Sequence, residues 1–175
     1  MDKDVMLDLE TWGTGHNAVI VQVGACYFDR HTGEIGKTLC ENIDARESIA
    51  EGFEVDASTI YRWMQQSPEA QRSVTGDSAY SLVENMNQLN DFMSKAKCIW
   101  SHVTFDWVVL MNYFKTLEIK PKFHYRAARD LRTLVDLANL EYGNRPRVGT
   151  HHNALDDCIF QVGYAVECLN KLKEK

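Results

Sequence analysis

The stretch that decides the fold is Asp4-Val-Met-Leu-Asp-Leu-Glu-Thr11, near the start of the chain. Residues 4–9 alternate with the period of two that predicts a β-strand with an apolar face. In such a strand Asp8 and Glu10, at i and i+2, point to the same face beside the following loop. Two carboxylates on one face are costly to bury unless a cation separates them. Oxygen ligands suit Mg²⁺ and Mn²⁺, so the pair indicates a metal site; an edge strand with incidental surface charges is the alternative.

The segments that follow predict a β-meander. After the turn-rich loop 11–17, residues 18–28 are rich in Val and Ile, and Gly24 marks a bulge or a point of close approach. Residues 29–34 are typical of a hairpin connection, and residues 36–43 resemble a third strand. Three consecutive strands therefore begin the fold.

Helical periodicity begins near residue 58. Ser58 is predicted to cap a first helix, and Ser67, followed by Pro68, a second one. Ser78 or Ser81 opens a longer amphipathic helix.

The rest of the chain alternates strands and helices. We expect a short buried strand at 97–101, a helix capped by Thr104, a weak strand at 123–127, and helices at 131–140 and 153–171. This order predicts an α/β fold of the ribonuclease H-like arrangement, with a mixed five-stranded sheet (β-meander then β-α-β-α) flanked by helices. In that arrangement the first strand lies beside a later parallel strand, so their ends can share a site. The length suits one domain, residues 1–175.

Three more residues can reach the metal site that Asp8 and Glu10 indicate. Asp106 falls in the first turn of the helix after strand 97–101, where the helix dipole alone would also favour an acid. His152 precedes the last helix, and Asp157 lies about one and a half turns beyond it. A loop histidine and a helical acid can therefore face one point, although two ordinary helix-start acids beside a surface histidine are the competing interpretation.

In sequence order, Asp8-Leu9-Glu10-Thr11, Phe105-Asp106 and His152-x-Ala154-x-x-Asp157 resemble the three motifs of the DEDDh class of 3′→5′ exonucleases. Residues 56–67 and 129–133 extend the resemblance to a small phage and bacterial branch with exonuclease A-type and exoribonuclease-like members, and it covers essentially the whole chain. The second motif departs from the pattern: the class often has asparagine three residues before the phenylalanine, where this chain has His102.

The resemblance implies hydrolysis of phosphodiester bonds from a 3′ end, with release of nucleoside 5′-monophosphates. The implied catalytic residues are Asp8, Glu10, Asp106, His152 and Asp157, of which the four acids would hold two Mg²⁺ or Mn²⁺ ions. His152 would be the general base, a role suited to its ordinary pKa of about 6.5. Substrate contacts are expected from Thr11, Trp12, His102, Phe105, Arg129, Asp130 and Arg132. Packing over the loop is the alternative for Trp12, and capping and pairing at a helix start is the alternative for Arg129, Asp130 and Arg132. Trp63 and Trp100 are expected in the core. The implied partner is the 3′ end of single-stranded DNA or RNA, and the sequence does not decide between the two polymers. A homodimer is also expected from the resemblance, since homodimers occur often in the class.

Charge and cysteine content narrow the range of possible functions. The net charge of −6 disfavours non-specific coating of nucleic acid, although residues 120–147 carry a net +4 and the remainder −10. The five cysteines include no C-x-x-C pair, which disfavours a disulfide framework or a zinc–thiolate site and favours a cytoplasmic location. No segment is apolar for long enough to cross a membrane. A non-catalytic ribonuclease H-like binding module and a metal-dependent nucleotide phosphohydrolase remain the rival functions.

Overall fold

The centre of the fold is a mixed sheet of five strands in the order β3-β2-β1-β4-β5. A computed structural model describes residues 4–141, 146–147 and 149–173. The strands are β1 (Asp4–Thr11), β2 (Ile20–Phe28), β3 (Ile35–Asn42), β4 (Cys98–Ser101) and β5 (Ala128–Asp130). β1 pairs with β2 in antiparallel fashion and with β4 in parallel fashion, so the predicted α/β sheet, with its meander and central first strand, is confirmed.

Seven helices of the described residues flank this sheet. They are α1 (Ala45–Ala50), α2 (Ala57–Met64), α3 (Pro68–Val74), α4 (Leu82–Met93), α5 (Asp106–Thr116), α6 (Leu131–Leu137) and α7 (Ala154–Lys173). Within the described ranges, no helix has both the length and the apolar sequence that a bilayer-spanning segment requires.

The alternation of β1 assigns its two faces to different helices. Its odd-numbered apolar residues belong to a core cluster with apolar residues of α4 and α5. Met6 belongs to a second cluster with residues of α6 and α7. Asp8 and Glu10 share the parity of Met6 and therefore point to the α7 side of the sheet. Because all of β1 is buried between two neighbouring strands, the edge-strand interpretation of these acids is wrong.

Several local features differ from the prediction. The sequence pattern does not reveal α1, which has only six residues. Asp56 rather than Ser58 caps α2, because the Asp56 carboxylate accepts a hydrogen bond from the Ser58 N–H (2.9 Å). The cap assigned to Thr104 is wrong, since α5 starts without a side-chain cap. The weak strand is displaced from 123–127 to β5, whose residues are the ones that pair with β4.

A buried ion pair lies at the end of β1 opposite to Asp8. The fully buried Asp4 accepts hydrogen bonds from Arg30 Nη2 (2.6 Å) at Oδ1 and from Trp100 Nε1 (2.8 Å) at Oδ2. Trp100 is a core residue, as expected. At about 3.3 Å per residue, this pair is roughly 13 Å from Asp8 along the strand. The Asp4–Arg30 pair therefore stabilises the sheet at the end of β1 that is far from Asp8 and Glu10.

Candidate active site

Four carboxylates converge at the carboxyl end of β1. Asp8 and Glu10 come from β1 itself, Asp106 from the first residue of α5 after β4, and Asp157 from the first turn of α7. Ligand atoms of Asp8, His102 and Asp106 lie within 4.8 Å of one another, and so do those of Glu10, His152 and Asp157. The structure thus brings together all five residues that the sequence motifs selected, and it adds His102.

Hydrogen bonds orient two of these acids. Asp8 Oδ1 accepts from the buried Gln161 Nε2 (2.7 Å), which projects from α7. Asp106 Oδ2 accepts from the backbone N–H of His102 (2.8 Å). A carboxylate oxygen that accepts one hydrogen bond keeps a second lone pair, so these bonds leave both carboxylates able to bind a cation.

A glycine in β2 lets α7 reach the acids of β1. Gly24 pairs with Asp8 across the sheet. A Cβ at this position would lie 2.2 Å from the carbonyl carbon of Ala154 and 2.5 Å from the amide nitrogen of Leu155. Gln22, two residues earlier, accepts from the Ala154 N–H at Oε1 (2.8 Å). Of the two meanings that the sequence allows for Gly24, close approach is the one observed.

Backbone and ring contacts hold His152 at the edge of this cluster. Its backbone is left-handed, with φ of 63°, an uncommon conformation for a residue with a side chain. Its carbonyl accepts from Ser73 Oγ (3.0 Å), and its ring makes a T-shaped contact with Trp63 at 5.5 Å between centroids. Its Nδ1 lies 3.8 Å from Glu10 Oε1. The imidazole is therefore presented to the carboxylates by the loop before α7.

Burial and mutual repulsion raise the pKa values of the acids. The pKa of Asp8 is raised well above its ordinary value by burial and by the charges of Asp106 and Glu10. Burial, followed by the charge of Asp106, raises the pKa of Glu10 to about 8. Burial likewise raises the pKa of Asp106 to about 7. A bound cation would reverse these penalties.

The pKa values of His152 and His102 are lowered, in contrast to those of the acids. Burial, followed by the charges of His151 and Arg147, lowers the pKa of His152 to about 4. The expected value near 6.5 is therefore wrong, because a partly enclosed ring beside cations disfavours its own protonation. Burial and the charge of Arg132 also lower the pKa of His102 to about 4. Both rings are neutral at pH 7 and present a nitrogen lone pair.

The raised carboxyl pKa values predict that the metal-free protein becomes less stable as pH rises. Unfolded carboxyls lose their protons near pH 4, whereas folded Glu10 and Asp106 keep theirs to about 8 and about 7. Between these limits the folded state binds more protons, so the free energy of unfolding falls with rising pH. We expect the Tm in EDTA to drop by about 5 °C or more from pH 5 to pH 8. Scanning calorimetry with and without MnCl2 measures this. A Tm at pH 8 that does not recover with Mn²⁺ would contradict the prediction.

A recess of about 160 Å³ opens beside the acids. Besides Glu10 and His152, the residues that shape its walls include Thr11, Thr59, Arg62, Trp63, Gln66 and Phe105. Trp63 also donates from Nε1 to the carbonyl of Thr11 (2.9 Å), which fixes the wall to the end of β1. Arg62, Trp63 and Gln66 were missed as site residues, since their helical spacing predicts only packing; the sole available signal is the similarity of residues 56–67.

Three other residues that were predicted to contact the substrate are not among those that line the recess. Trp12 packs against the core cluster and is not among the recess residues. Arg129 donates from Nη1 to the carbonyls of Arg126 (2.7 Å) and Ala128 (2.8 Å). Asp130 caps α6 and accepts from the Val103 N–H (3.0 Å).

The described basic residues of segment 120–147 have several different partners. Lys122 pairs with Asp91 of α4. Arg132 is close enough to lower the pKa values of His102 and Asp106. Arg147 contacts the carboxylate of Asp157 and stacks 4.7 Å from the Phe160 ring. Arg145 lies outside the described residues. Positive charge therefore reaches the acids mainly from Arg132 and Arg147.

Comparison with known proteins yields relatives of one functional class. The chain is 24% identical over 132 residues to an exodeoxyribonuclease of Enterobacteria phage T4, covering 66% of this chain and 57% of that protein. Its fold is similar to that of E. coli exonuclease I in complex with a dA16 oligonucleotide (TM-score 0.72, 15% identity, 99% of this chain and 42% of that chain). The zinc-bound complex of E. coli exonuclease I with single-stranded DNA gives a TM-score of 0.61 at 14% identity, with 99% and 41% coverage.

These likenesses differ in what they establish. The chain spans little more than half of the phage protein and about two fifths of exonuclease I, and the solved structures show similarity of fold. The family assignment comes from the model described as the 3′-5′ exoribonuclease Rv2179c-like domain, which matches residues 3–169. The resemblance to 3′→5′ exonucleases is thereby confirmed, and the chain belongs to the Rv2179c-like family of 3′-5′ exoribonuclease domains.

Proposed function

We propose that this chain is a divalent-metal-dependent 3′→5′ exonuclease that hydrolyses single-stranded nucleic acid to nucleoside 5′-monophosphates. The observation that carries the proposal is the convergence of four carboxylates, three of them at most 8% exposed, beside an open recess. Carboxylates that repel one another at such burial are costly unless they bind cations. This arrangement suits metal-dependent chemistry on an anionic substrate.

The donor set fits Mg²⁺ or Mn²⁺. These ions prefer oxygen ligands, and the cluster offers carboxylate oxygens from Asp8, Glu10, Asp106 and Asp157. Asp8 neighbours both Glu10 and Asp106, so it would take part in holding both ions. Bound there, two ions would stabilise the charge that develops on the attacking and leaving oxygens of an in-line displacement.

Other residues of the site would transfer the proton and bind the substrate. His152, neutral at pH 7, would accept the proton of the attacking water, and the ring contact with Trp63 would orient its imidazole. Thr11, Phe105 and Trp63 would hold the terminal nucleotide in the recess. Arg132 and Arg147 would attract and position the phosphate backbone by their charge. Roles for Trp12, Arg129 and Asp130 in binding the strand stay predictions from the sequence, as do a homodimer and a cytoplasmic location.

The relatives support a polymeric substrate. Exonuclease I has been solved with single-stranded DNA oligonucleotides, the phage relative is named an exodeoxyribonuclease, and the family is described as exoribonuclease-like. We therefore expect cleavage of single strands, and matched DNA and RNA oligonucleotides of one sequence decide between the two polymers. A nucleotide phosphohydrolase would instead turn over free nucleotides and leave both oligomers intact.

The test compares two adjacent histidines. His152→Ala is expected to lower kcat by about 10²- to 10⁴-fold with little change in KM, because it removes the proton acceptor. His151 is exposed and contributes no ligand atom to either carboxylate group, but its ring lies 3.9 Å from that of His152 and its charge lowers the pKa of that residue. His151→Ala should therefore reduce kcat far less than His152→Ala does. The assay follows 5′-labelled single strands that shorten from the 3′ end in MnCl2 and stay intact in EDTA. Equal loss in both variants, or cleavage that persists in EDTA, would refute the proposal.

A further inference from the structure

His102 borders the acidic cluster on a rigid loop. Its carbonyl accepts from the N–H groups of Phe105 (2.8 Å) and Asp106 (3.0 Å), and its own N–H donates to Asp106 Oδ2 (2.8 Å). The next residue, Val103, donates to Asp130 Oδ1 (3.0 Å). The backbone that carries the imidazole is thus fixed on both sides before any ligand arrives.

The ring of His102 faces the carboxylates rather than the recess. It is not among the residues that line the recess, where the sequence-based expectation of a substrate contact would require it. Its Nδ1 lies 3.8 Å from Asp106 Oδ2, which is too long for a direct hydrogen bond. Two donors that share one ion at ~2.1 Å each lie up to ~4.2 Å apart, so this separation allows both groups to bind one ion. Asp8 supplies a third ligand atom within 4.8 Å of both.

We propose that His102 is a nitrogen ligand of the metal site formed with Asp8 and Asp106, and that this site prefers Mn²⁺ and other imidazole-binding transition-metal ions to Mg²⁺. Imidazole nitrogen suits transition metals, whereas Mg²⁺ is held by oxygen ligands. The inference rests on the proposed function only in taking these carboxylates as metal ligands. It assigns an ion preference to the residue by which this chain departs from the usual second motif.

Metal binding tests the proposal without any turnover. Titration calorimetry with MnCl2 and with MgCl2 gives the affinity of each ion for the wild-type protein and for His102→Asn. We expect the variant to bind Mn²⁺ about tenfold more weakly or worse, since even groups behind the ligands cost 10–100-fold by a rough general estimate. Mg²⁺ affinity should change by about twofold at most, because its oxygen ligands remain. An equal loss for both ions would overturn the proposal.

Pulsed EPR identifies the ligand directly. With less Mn²⁺ than protein, electron spin echo modulation from a coordinated ¹⁴N should be present in the wild type, persist in His152→Gln, and vanish in His102→Asn. Absence of the modulation in the wild type, or its persistence in His102→Asn, would overturn the assignment. Should His102→Asn fail to fold, His102→Gln and wild-type protein with ¹⁵N-labelled histidine give the same decision.

The outcomes separate this inference from the proposed function. A His102-dependent nitrogen signal in a protein that cleaves no oligonucleotide upholds the ligand assignment and refutes the exonuclease. Metal-dependent cleavage by a protein without that signal upholds the exonuclease and refutes the ligand assignment. A structural role for His102 would alter the Tm of His102→Asn, and it would leave the Mn²⁺ to Mg²⁺ affinity ratio unchanged.

Discussion

Replacing Asp8 with asparagine is expected to reduce the rate of 3′-end cleavage by about 10³-fold or more while raising the Tm of the metal-free protein. The rate falls because the ions that Asp8 would hold contribute several kcal/mol to the reaction, and each 1.4 kcal/mol is about tenfold. At pH 8 the Tm rises because burial and the neighbouring acids Asp106 and Glu10 oppose ionisation of the Asp8 carboxyl, and asparagine removes this cost of folding. Asparagine keeps the acceptor for Gln161, so the fold is not disturbed. Quantitative gel assays and calorimetry in EDTA measure the two effects.

Asp4→Asn provides the matched control on the same strand. Both acids are buried in β1, but Asp4 pairs with Arg30 and Trp100 at the far end. Its replacement should lower stability by about 2–3 kcal/mol, less than for a fully buried pair because the Arg30 side chain is 26% exposed. The folded fraction should keep its cleavage rate. If Asp4→Asn abolished cleavage, or if Asp8→Asn lowered the Tm in EDTA, the division of β1 into a structural end and a metal end would be wrong.

The sequence predicts the strands of this fold better than the helix starts. Alternation in residues 4–9 predicts β1 because Val5, Leu7 and Leu9 must all be buried on one face of the strand, and this requirement fixes every second residue. The start of α2 depends on which of Asp56 and Ser58 accepts the hydrogen bond, and both are good caps. The choice is made by backbone geometry, which composition does not encode. Short elements such as α1 present too few residues for a period to emerge.

The site was predictable where spacing fixes direction. Asp8 and Glu10 follow from the two-residue period of a strand, and His152 with Asp157 from the start of a helix. Asp106, for which the helix dipole offers an equally good reason, needed the family resemblance. The approach of Trp63 to His152 joins residues far apart in sequence, and that of Arg147 to Asp157 joins a residue before α7 to the first turn of that helix. Such contacts depend on tertiary packing, and no local pattern announces them.

Gly24→Ala is expected to damage both stability and catalysis through a single methyl group. The added Cβ would meet the backbone of Ala154 and Leu155 at 2.2–2.5 Å, far inside normal contact. Because backbone cannot rotate away as a side chain can, α7 must move off the sheet. Overpacking of this kind costs about 1–3 kcal/mol. The same movement displaces Asp157 and His152, and a shift of ~1 Å in a catalytic group can lower kcat by about 10²-fold.

Gly36→Ala separates this effect from the general cost of changing a strand glycine. Gly36 lies in the neighbouring strand β3, where an added Cβ would make an ordinary contact of 3.4 Å with Tyr27 Cβ. We expect that variant to keep its Tm within about 1–2 °C, since surface substitutions usually stay within ~0.5 kcal/mol, and to keep its kcat. Calorimetry and single-turnover cleavage of a 5′-labelled strand compare the two variants. A wild-type kcat in Gly24→Ala would mean that catalysis does not depend on the close approach of α7 to β1. The roles assigned to Asp157 and His152 in the reaction would then be wrong.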